Sequence, residues 1–164
     1  MSHRPVIDGF EFASVGATQQ GVWPVSDLPR LRDMLASDDG EVAYTLQGTR
    51  DERERPALRV KVKGWLKLRC QRCLEALPVE VRTDELLVLA ATLQEIHAEP
   101  ADVSAPDRVV AGKEMPLRDL IEDELILAVP YAPRHENCVA SAADGQEDGS
   151  SPFAGLRGLM RDKH

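Results

Sequence analysis

The chain has 164 residues, with 20 Lys and Arg against 28 Asp and Glu, which gives a formal net charge of −8. An acidic average of this size argues against a protein that binds nucleic acid or anionic membranes indiscriminately, because such surfaces are usually basic. The sequence has no apolar run near the roughly 20 residues of a membrane span and no signal-peptide core at its start, so we expect a cytoplasmic protein without membrane attachment.

The first 40 residues predict one helix after an irregular start. Glycines interrupt residues 1–25, although the apolar residues between positions 6 and 12 favour a short strand or a docked arm. A helix start follows at Ser26 and Asp27, with Pro29 in the first turn. The apolar residues after it recur at helical spacing; they are Leu28, Leu31, Met34 and Leu35. We therefore predict a helix that ends before Gly40.

Alternation of polar and apolar side chains predicts the strands of a sheet in the middle of the chain. Residues 41–47 alternate as a half-buried strand does, and a charged loop follows them. Period-two patterning then extends over residues 58–70, where Gly64 suggests a bend that splits the strand in two. Residues 77–81 continue the alternation after a turn, and the apolar run 86–93 predicts a further strand.

The period changes to a helical spacing towards the C-terminal end. Residues 94–113 are polar and acidic and predict a surface loop. Pro116 suits the first helical position, the apolar residues after it are helically spaced, and Pro130 ends the run.

Strands in the middle with helices on the flanks favour an α+β fold with a mostly antiparallel sheet. We expect one such domain over residues 1–140. A flexible, disordered acidic linker over residues 141–151 and a short C-terminal helix or tail over residues 152–164 complete the expected organisation.

All three cysteines of the chain fall into closely spaced pairs of candidate metal ligands. Cys70 and Cys73 form a Cys-x2-Cys pair, and His135 and Cys138 form a His-x2-Cys pair. Two ligands at this spacing on a tight turn direct their donor atoms to one point, and a Cys3His set suits one structural Zn²⁺. A plain turn with free thiols remains the alternative. A thioredoxin-like redox site is disfavoured, because no helical pattern opens at the Cys-x2-Cys pair.

One face of the long strand carries cations and a single aromatic. Side chains two apart on a strand share a face, and the face opposite to the apolar one holds Arg59, Lys61, Lys63, Trp65, Lys67 and Arg69. Cations that meet phosphates and an aromatic that stacks on a base are typical of RNA-binding surfaces. Together with Arg72, these residues are the candidate RNA contacts. The alternative is a solvated edge strand, whose Lys and Arg discourage pairing with another chain.

The candidate RNA-binding face lies in a locally basic part of the chain. Residues 50–82 hold ten basic and five acidic residues, whereas residues 83–150 hold four basic and fifteen acidic ones. The average charge therefore conceals a basic strand region in an acidic protein. An acidic surround weakens non-specific binding and confines RNA contact to one face.

No motif in the sequence indicates an enzyme. The chain has no Gly-rich phosphate loop, no GxSxG and no HExxH. Glu122, Asp123 and Glu124 are neighbours on the predicted helix, so their carboxylates point in different directions and are typical of a solvated face. We therefore expect no catalytic residues and no small-molecule substrate.

Several segments together resemble the YceD family, whose members are called large ribosomal RNA subunit accumulation proteins. The similarity is carried by CQRCLEAL, IEDELILAVPYAPRHENC and SPFAGLRGLM, and also by VWPVSDLPRLRDMLA near the start. Two departures are small, since the family's Asn-Pro-Phe-Ala is Ser-Pro-Phe-Ala here and its Leu-Pro is Val-Pro. Carried over residue by residue, the family pattern highlights Cys70, Arg72, Cys73, Glu122, Glu124, Pro130, His135 and Cys138.

The resemblance implies a non-enzymatic ribosome-biogenesis factor that acts in the synthesis, processing or stability of large-subunit (23S) ribosomal RNA. Its implied partner is this rRNA or a precursor particle, and direct binding would use the basic strand face. The alternative is an adaptor that binds a basic large-subunit ribosomal protein through the acidic helix and loop, by charge complementarity.

Overall fold

The computed structural model describes residues 5–100 and 102–138 and confirms the predicted α+β class. Its strands are β1 (Val6–Ile7), β2 (Thr18–Pro24), β3 (Leu35–Ser37), β4 (Glu41–Arg50), β5 (Pro56–Arg69), β6 (Ala76–Ala90), β7 (Arg108–Val110) and β8 (Met115–Pro116). Its α-helices are α1 (Gly9–Ser14), α2 (Leu93–His97) and α3 (Leu117–Ala128). Short 3-10 helices cover Val25–Asp27 and Pro29–Met34. None of these helices is long and apolar enough to cross a membrane.

A six-stranded sheet is the scaffold of the described residues. Its main path runs in the order β2-β4-β5-β6-β7, and β3 pairs with β5 beside that path. The sheet is antiparallel except for the parallel pair β6 and β7, while β1 and β8 pair separately. The long strands β4, β5 and β6 are consecutive in the chain and adjacent in the sheet, so β5 is a central strand.

One side of the sheet is covered and the other is open along β5. Helix α1 packs against β4 and β5, and α3 packs against β5 and β6. Every second residue of β5 is buried from Leu58 onward, as its alternation predicts, and the residues between are exposed. The core beneath the helices is mainly aliphatic and includes Leu46, Val60, Leu66, Leu117 and Leu125. Burial of each such side chain stabilises the fold by about 1.5–3 kcal/mol relative to exposure.

Two predicted interruptions of the long strands do not occur. A Cβ atom at Gly64 would lie 2.7 Å from Cγ1 of Val42 and 2.8 Å from the carbonyl oxygen of Glu41. This glycine therefore lets β4 approach closely and does not bend β5. The strands predicted over 77–81 and 86–93 are joined into the single strand β6, because residues 82–85 keep their pairing with β5. The second prediction extends too far, since β6 ends at Ala90 and Leu93 begins α2.

The α-helix predicted between Ser26 and Gly40 is wrong. Val25, Leu28 and Leu31 are buried at a spacing of three residues, which matches the three residues per turn of a 3-10 helix. The chain then becomes extended at Leu35, which pairs with Leu68 of β5. The segment whose apolar spacing suggests one α-helix therefore consists of two 3-10 helices followed by the start of β3.

Two regions that were predicted to be irregular contain short elements. The first 25 residues hold β1, α1 and β2, and the carboxylate of Asp8 accepts a hydrogen bond of 3.0 Å from the N–H of Glu11 at the start of α1. The loop predicted over 94–113 contains most of α2 and all of β7. The helix after Pro116 is confirmed as α3, with Pro116 just before its first turn. The predicted linker 141–151 and tail 152–164 lie outside the described residues.

Candidate metal centre and open sheet face

The turn between β5 and β6 is a compact knuckle that carries Cys70 and Cys73. The N–H of Cys70 donates to the carbonyl of Glu75 at 2.9 Å, and the N–H of Leu74 donates to the carbonyl of Cys70 at 3.0 Å. Leu74 has a φ of 65°, in the left-handed region that a tight reversal requires. Cys70 continues the buried alternation of β5, so the knuckle starts from the core side of the sheet.

The segment after α3 brings His135 and Cys138 to this knuckle. The N–H of Gln71 donates to the carbonyl of Pro133 at 2.8 Å. The guanidinium of Arg72 donates to the carbonyl of Cys138 at 3.1 Å. Two hydrogen bonds therefore hold the knuckle and the C-terminal segment together, although more than 60 residues separate them in sequence.

The four predicted ligands lie close enough to bind one ion. Their ligand atoms are all within 4.8 Å of one another. Sγ of Cys70 lies 3.7 Å from Sγ of Cys138, and Sγ of Cys73 lies 3.4 Å from Nδ1 of His135. Tetrahedral Zn²⁺ with usual bond lengths would separate two sulfurs by roughly 3.8 Å and a sulfur from a nitrogen by roughly 3.6 Å. The Cys70–Cys138 and Cys73–His135 distances match that geometry.

Neighbouring backbone groups orient the cluster. A carbonyl oxygen only accepts hydrogen bonds, so Nε2 of His135 donates to the carbonyl of Ala76 at 3.2 Å and Nδ1 is the free ligand atom. A carbonyl behind the imidazole is a common partner of metal-bound histidine. Burial disfavours the Cys70 thiolate, but hydrogen bonds from the N–H groups of Cys73, Arg72 and His135 outweigh it and lower the pKa of Cys70 to about 5.

The surroundings of the cysteines also bear on the redox alternative. All three cysteines are free thiols. The Cys-x2-Cys pair lies between two strands and has no helix after it, so no helix dipole activates either sulfur. The arrangement is that of a ligand turn and differs from a thioredoxin-like site.

The predicted cationic residues of β5 share the open face of the sheet. Arg59, Lys61, Lys63, Trp65, Lys67 and Arg69 are all exposed, and the exposed fraction of Trp65 is 58%. Because β5 is paired on both sides, these cations are not the protection of an edge strand. Arg72 lies apart from them in the knuckle.

Carboxylates neutralise part of this face. Arg59 and Lys61 both pair with Asp84 of β6, at 2.6 and 3.2 Å, and Lys67 pairs with Asp39 at 3.0 Å. The hydrogen bond from Arg59 and the pairing with Lys61 hold the pKa of Asp84 below its usual value. Within the described residues, Lys63 makes no ion pair. Arg69, at the end of β5, likewise makes no ion pair in that part of the chain, so uncompensated positive charge remains in the middle and at the end of the face.

Arg82 is a cation of the same face that the sequence interpretation missed. It is the direct register partner of Lys63 across β5 and β6, and its side chain is exposed. The polar residues 82–85 separate the two strands that the sequence predicts, and this separation hides the parity of Arg82. The alternation of the preceding residues 77–81, if continued, places Arg82 on the open side.

The interpretation of the acidic helix residues as a solvated face is wrong for Glu122 and Glu124, which are buried, and holds for Asp123. The Glu122 carboxylate accepts a hydrogen bond from the N–H of Arg30 and so anchors the second 3-10 helix to α3. The Arg30 side chain pairs with half-exposed Asp123. Burial, together with the charges of Glu85, Asp107 and Asp123, raises the pKa of Glu124 to about 7.

A sheet with one open cationic face, and a Cys3His cluster that fixes the end of its central hairpin, defines a small α+β protein with the ligand set of a structural metal site. A family model described as large ribosomal RNA subunit accumulation protein YceD matches residues 58–160. The chain belongs to the YceD family, as its sequence motifs indicated, and its family role is in the accumulation of large-subunit ribosomal RNA. No solved structure matches the chain.

Proposed function

We propose that this protein is a non-enzymatic ribosome-biogenesis factor of the cytoplasm that binds large-subunit rRNA, or a precursor particle, through the open face of its sheet. The observation that carries the proposal is the row of exposed cations around Trp65 on the central strand β5. Such cations contact phosphates and release counterions, while an exposed indole offers a surface on which a base stacks. The acidic remainder of the chain limits contact to this face.

Filter binding to a large-subunit rRNA fragment tests the proposal. The variant Lys61→Glu, Lys63→Glu, Lys67→Glu should bind at least tenfold more weakly and show a smaller salt dependence, on the order of 0.7 per lost phosphate contact in a log–log plot. The control Arg32→Glu, Arg53→Glu, Lys113→Glu changes the net charge equally at exposed positions outside this face. Equal losses in both variants, or none in either, would contradict the proposal.

We further propose that Cys70, Cys73, His135 and Cys138 hold one structural Zn²⁺. Four protein ligands close a tetrahedral site and leave no position for a substrate, which is typical of structural zinc. The ion would join the β5–β6 hairpin to the segment after α3, in addition to the hydrogen bonds already present there. Elemental analysis of protein purified without chelator should give one zinc per chain; less than about a tenth would exclude a stable site.

The adaptor role is a second candidate function. Glu85, Asp107 and Asp123 surround Glu124 closely enough to raise the pKa of its carboxyl, so this side of the molecule concentrates negative charge. A basic ribosomal protein would complement it. Affinity purification from lysate treated with RNase separates the two proposals, because only a protein partner bound directly survives the treatment.

A further inference from the structure

The open face contains one place where two cations lie directly opposite each other. Lys63 of β5 and Arg82 of β6 are register partners. Opposite residues on neighbouring strands have Cβ atoms about 4.5–5.5 Å apart, and like charges at such positions destabilise a sheet. In the described residues, the carboxylate nearest to Arg82 is that of Glu80, at 3.4 Å, and both side chains are well exposed.

Strand β4, on the other side of β5, carries small side chains beside Lys61 and Lys63. Lys63 also faces Ala43 of β4, and Lys61 faces Thr45. These small side chains leave a shallow depression in the sheet surface, lined by Ala43, Thr45, Lys61, Lys63, Arg82 and Asp84. The depression therefore has an uncharged floor and a hydroxyl group, with three cations and the Asp84 carboxylate at its rim, and this carboxylate is paired with Lys61.

Three other cations of the face have carboxylate partners, whereas Arg69 has none among the described residues. Lys67 pairs with Asp39, and Asp84 accepts from both Arg59 and Lys61. Glu80 offsets the charge of Arg82 only from an exposed position, and Lys63 has no carboxylate partner within the described residues, so the Lys63–Arg82 pair keeps an excess of positive charge. An anionic ligand between the two side chains would remove the repulsion.

We propose that Lys63 and Arg82, with Thr45 and Lys61 at the rim, form a binding site for a phosphate group. The proposal deepens the proposed function and rests on it, since the phosphate is assigned to the backbone of an RNA strand that crosses the sheet. A guanidinium and an ammonium suit this ligand, because Arg donates two parallel hydrogen bonds to phosphate oxygens and Lys adds a point charge.

Thermal unfolding without RNA tests the site independently of the proposed function. At constant ionic strength, replacing chloride by inorganic phosphate should raise the midpoint of the wild-type protein, since a ligand of the folded state stabilises it. Arg82→Gln should abolish this shift. At low salt without phosphate, it should unfold no earlier than the wild type, because it relieves a like-charge pair. Lys67→Gln removes a cation that has its own partner and should keep the phosphate shift.

RNA binding provides a second test of the proposed phosphate site. Lys63→Gln and Arg82→Gln should each weaken binding of a single-stranded rRNA fragment and lower its log–log salt slope by about 0.7, whereas Lys67→Gln should change the slope less. Phosphate stabilisation that depends on Arg82, in a protein that binds no rRNA, would overturn the proposed function and assign the site to free phosphate. Unchanged RNA binding and an unchanged phosphate response in Arg82→Gln would overturn the site. The proposed function would survive if the triple variant still lost affinity.

Discussion

The knuckle at the end of β5 and the open face along its middle differ in how their polar groups are paired. In the knuckle, His135 donates to a carbonyl, Arg72 donates to the carbonyl of Cys138, and four ligand atoms converge. On the face, Lys63 and Arg82 oppose each other. Converging, oriented ligands are typical of a site that stabilises the fold. Concentrated like charge is typical of a surface that binds an oppositely charged partner. One strand therefore carries candidate metal ligands at its end and the proposed recognition surface in its middle.

Removal of a ligand from the knuckle should give the largest loss of stability. Cys138→Ser should lose zinc, and its free energy of unfolding should fall by at least about 3 kcal/mol, because the binding energy of a structural metal is folding energy. Urea denaturation together with elemental analysis measures both quantities. Wild-type protein treated with a chelator should unfold at the same urea concentration as the variant. A variant that lacks zinc and unfolds like the untreated wild type would contradict the structural role.

Loss of the buried carboxylate of Glu122 should rank second. Glu122→Ala leaves the N–H of Arg30 without its acceptor and removes a fully buried side chain, so we expect a loss of about 2–3 kcal/mol. Asp123→Asn is the matched control, because its pairing with the same arginine is half exposed and should contribute less than about 1 kcal/mol. Urea denaturation of both variants decides the matter, and similar losses would argue against the anchoring role of Glu122.

Glu124 should make stability depend on pH in an unusual direction. Its folded-state pKa of about 7 lies above the ordinary 4.5, so the folded protein binds this proton more tightly than the unfolded chain. The resulting stability is complete below pH 4.5 and is lost as the pH rises through 7. Glu124→Gln should therefore gain on the order of 2 kcal/mol relative to wild type at pH 8 and little at pH 4. Parallel pH profiles for the two proteins would refute the assignment.

The sequence allowed the four candidate ligands to be predicted, because Cys70 with Cys73 and His135 with Cys138 are two local pairs that tertiary structure had only to bring together. It also allowed the open face of β5 to be predicted, since parity along a strand is a local property. The position of β5 in the centre of the sheet was not predictable in this way. It depends on the pairing of β5 with both β4 and β6, and the parity of side chains along one strand does not indicate which strands flank it.

The burial of Glu122 and Glu124 could not be predicted from the sequence. Acidic residues such as Glu122 and Glu124 are usually found on the solvent-exposed face of a helix. Both are buried here because the second 3-10 helix and the sheet pack against α3. The 3-10 turns themselves were mistaken for an α-helix, because Leu28, Leu31 and Leu35 satisfy three- and four-residue spacings alike. The resemblance to the YceD family highlights both acids without a physical reason, and the fold supplies one for Glu122, whose carboxylate anchors the second 3-10 helix to α3.

Trp65 gives the smallest expected effect and the sharpest test of the open face. Its side chain is 58% exposed, so Trp65→Ala should change the free energy of unfolding by less than about 0.5 kcal/mol. Loss of base stacking should weaken RNA binding by about 1 kcal/mol, and Trp65→Tyr should restore most of it. Because no charge is removed, the salt slope should stay at the wild-type value, in contrast to Lys63→Gln. Filter binding over a range of salt measures both quantities. A fall in stability without a loss of affinity would mean that Trp65 belongs to the fold and that recognition on this face uses the cations alone.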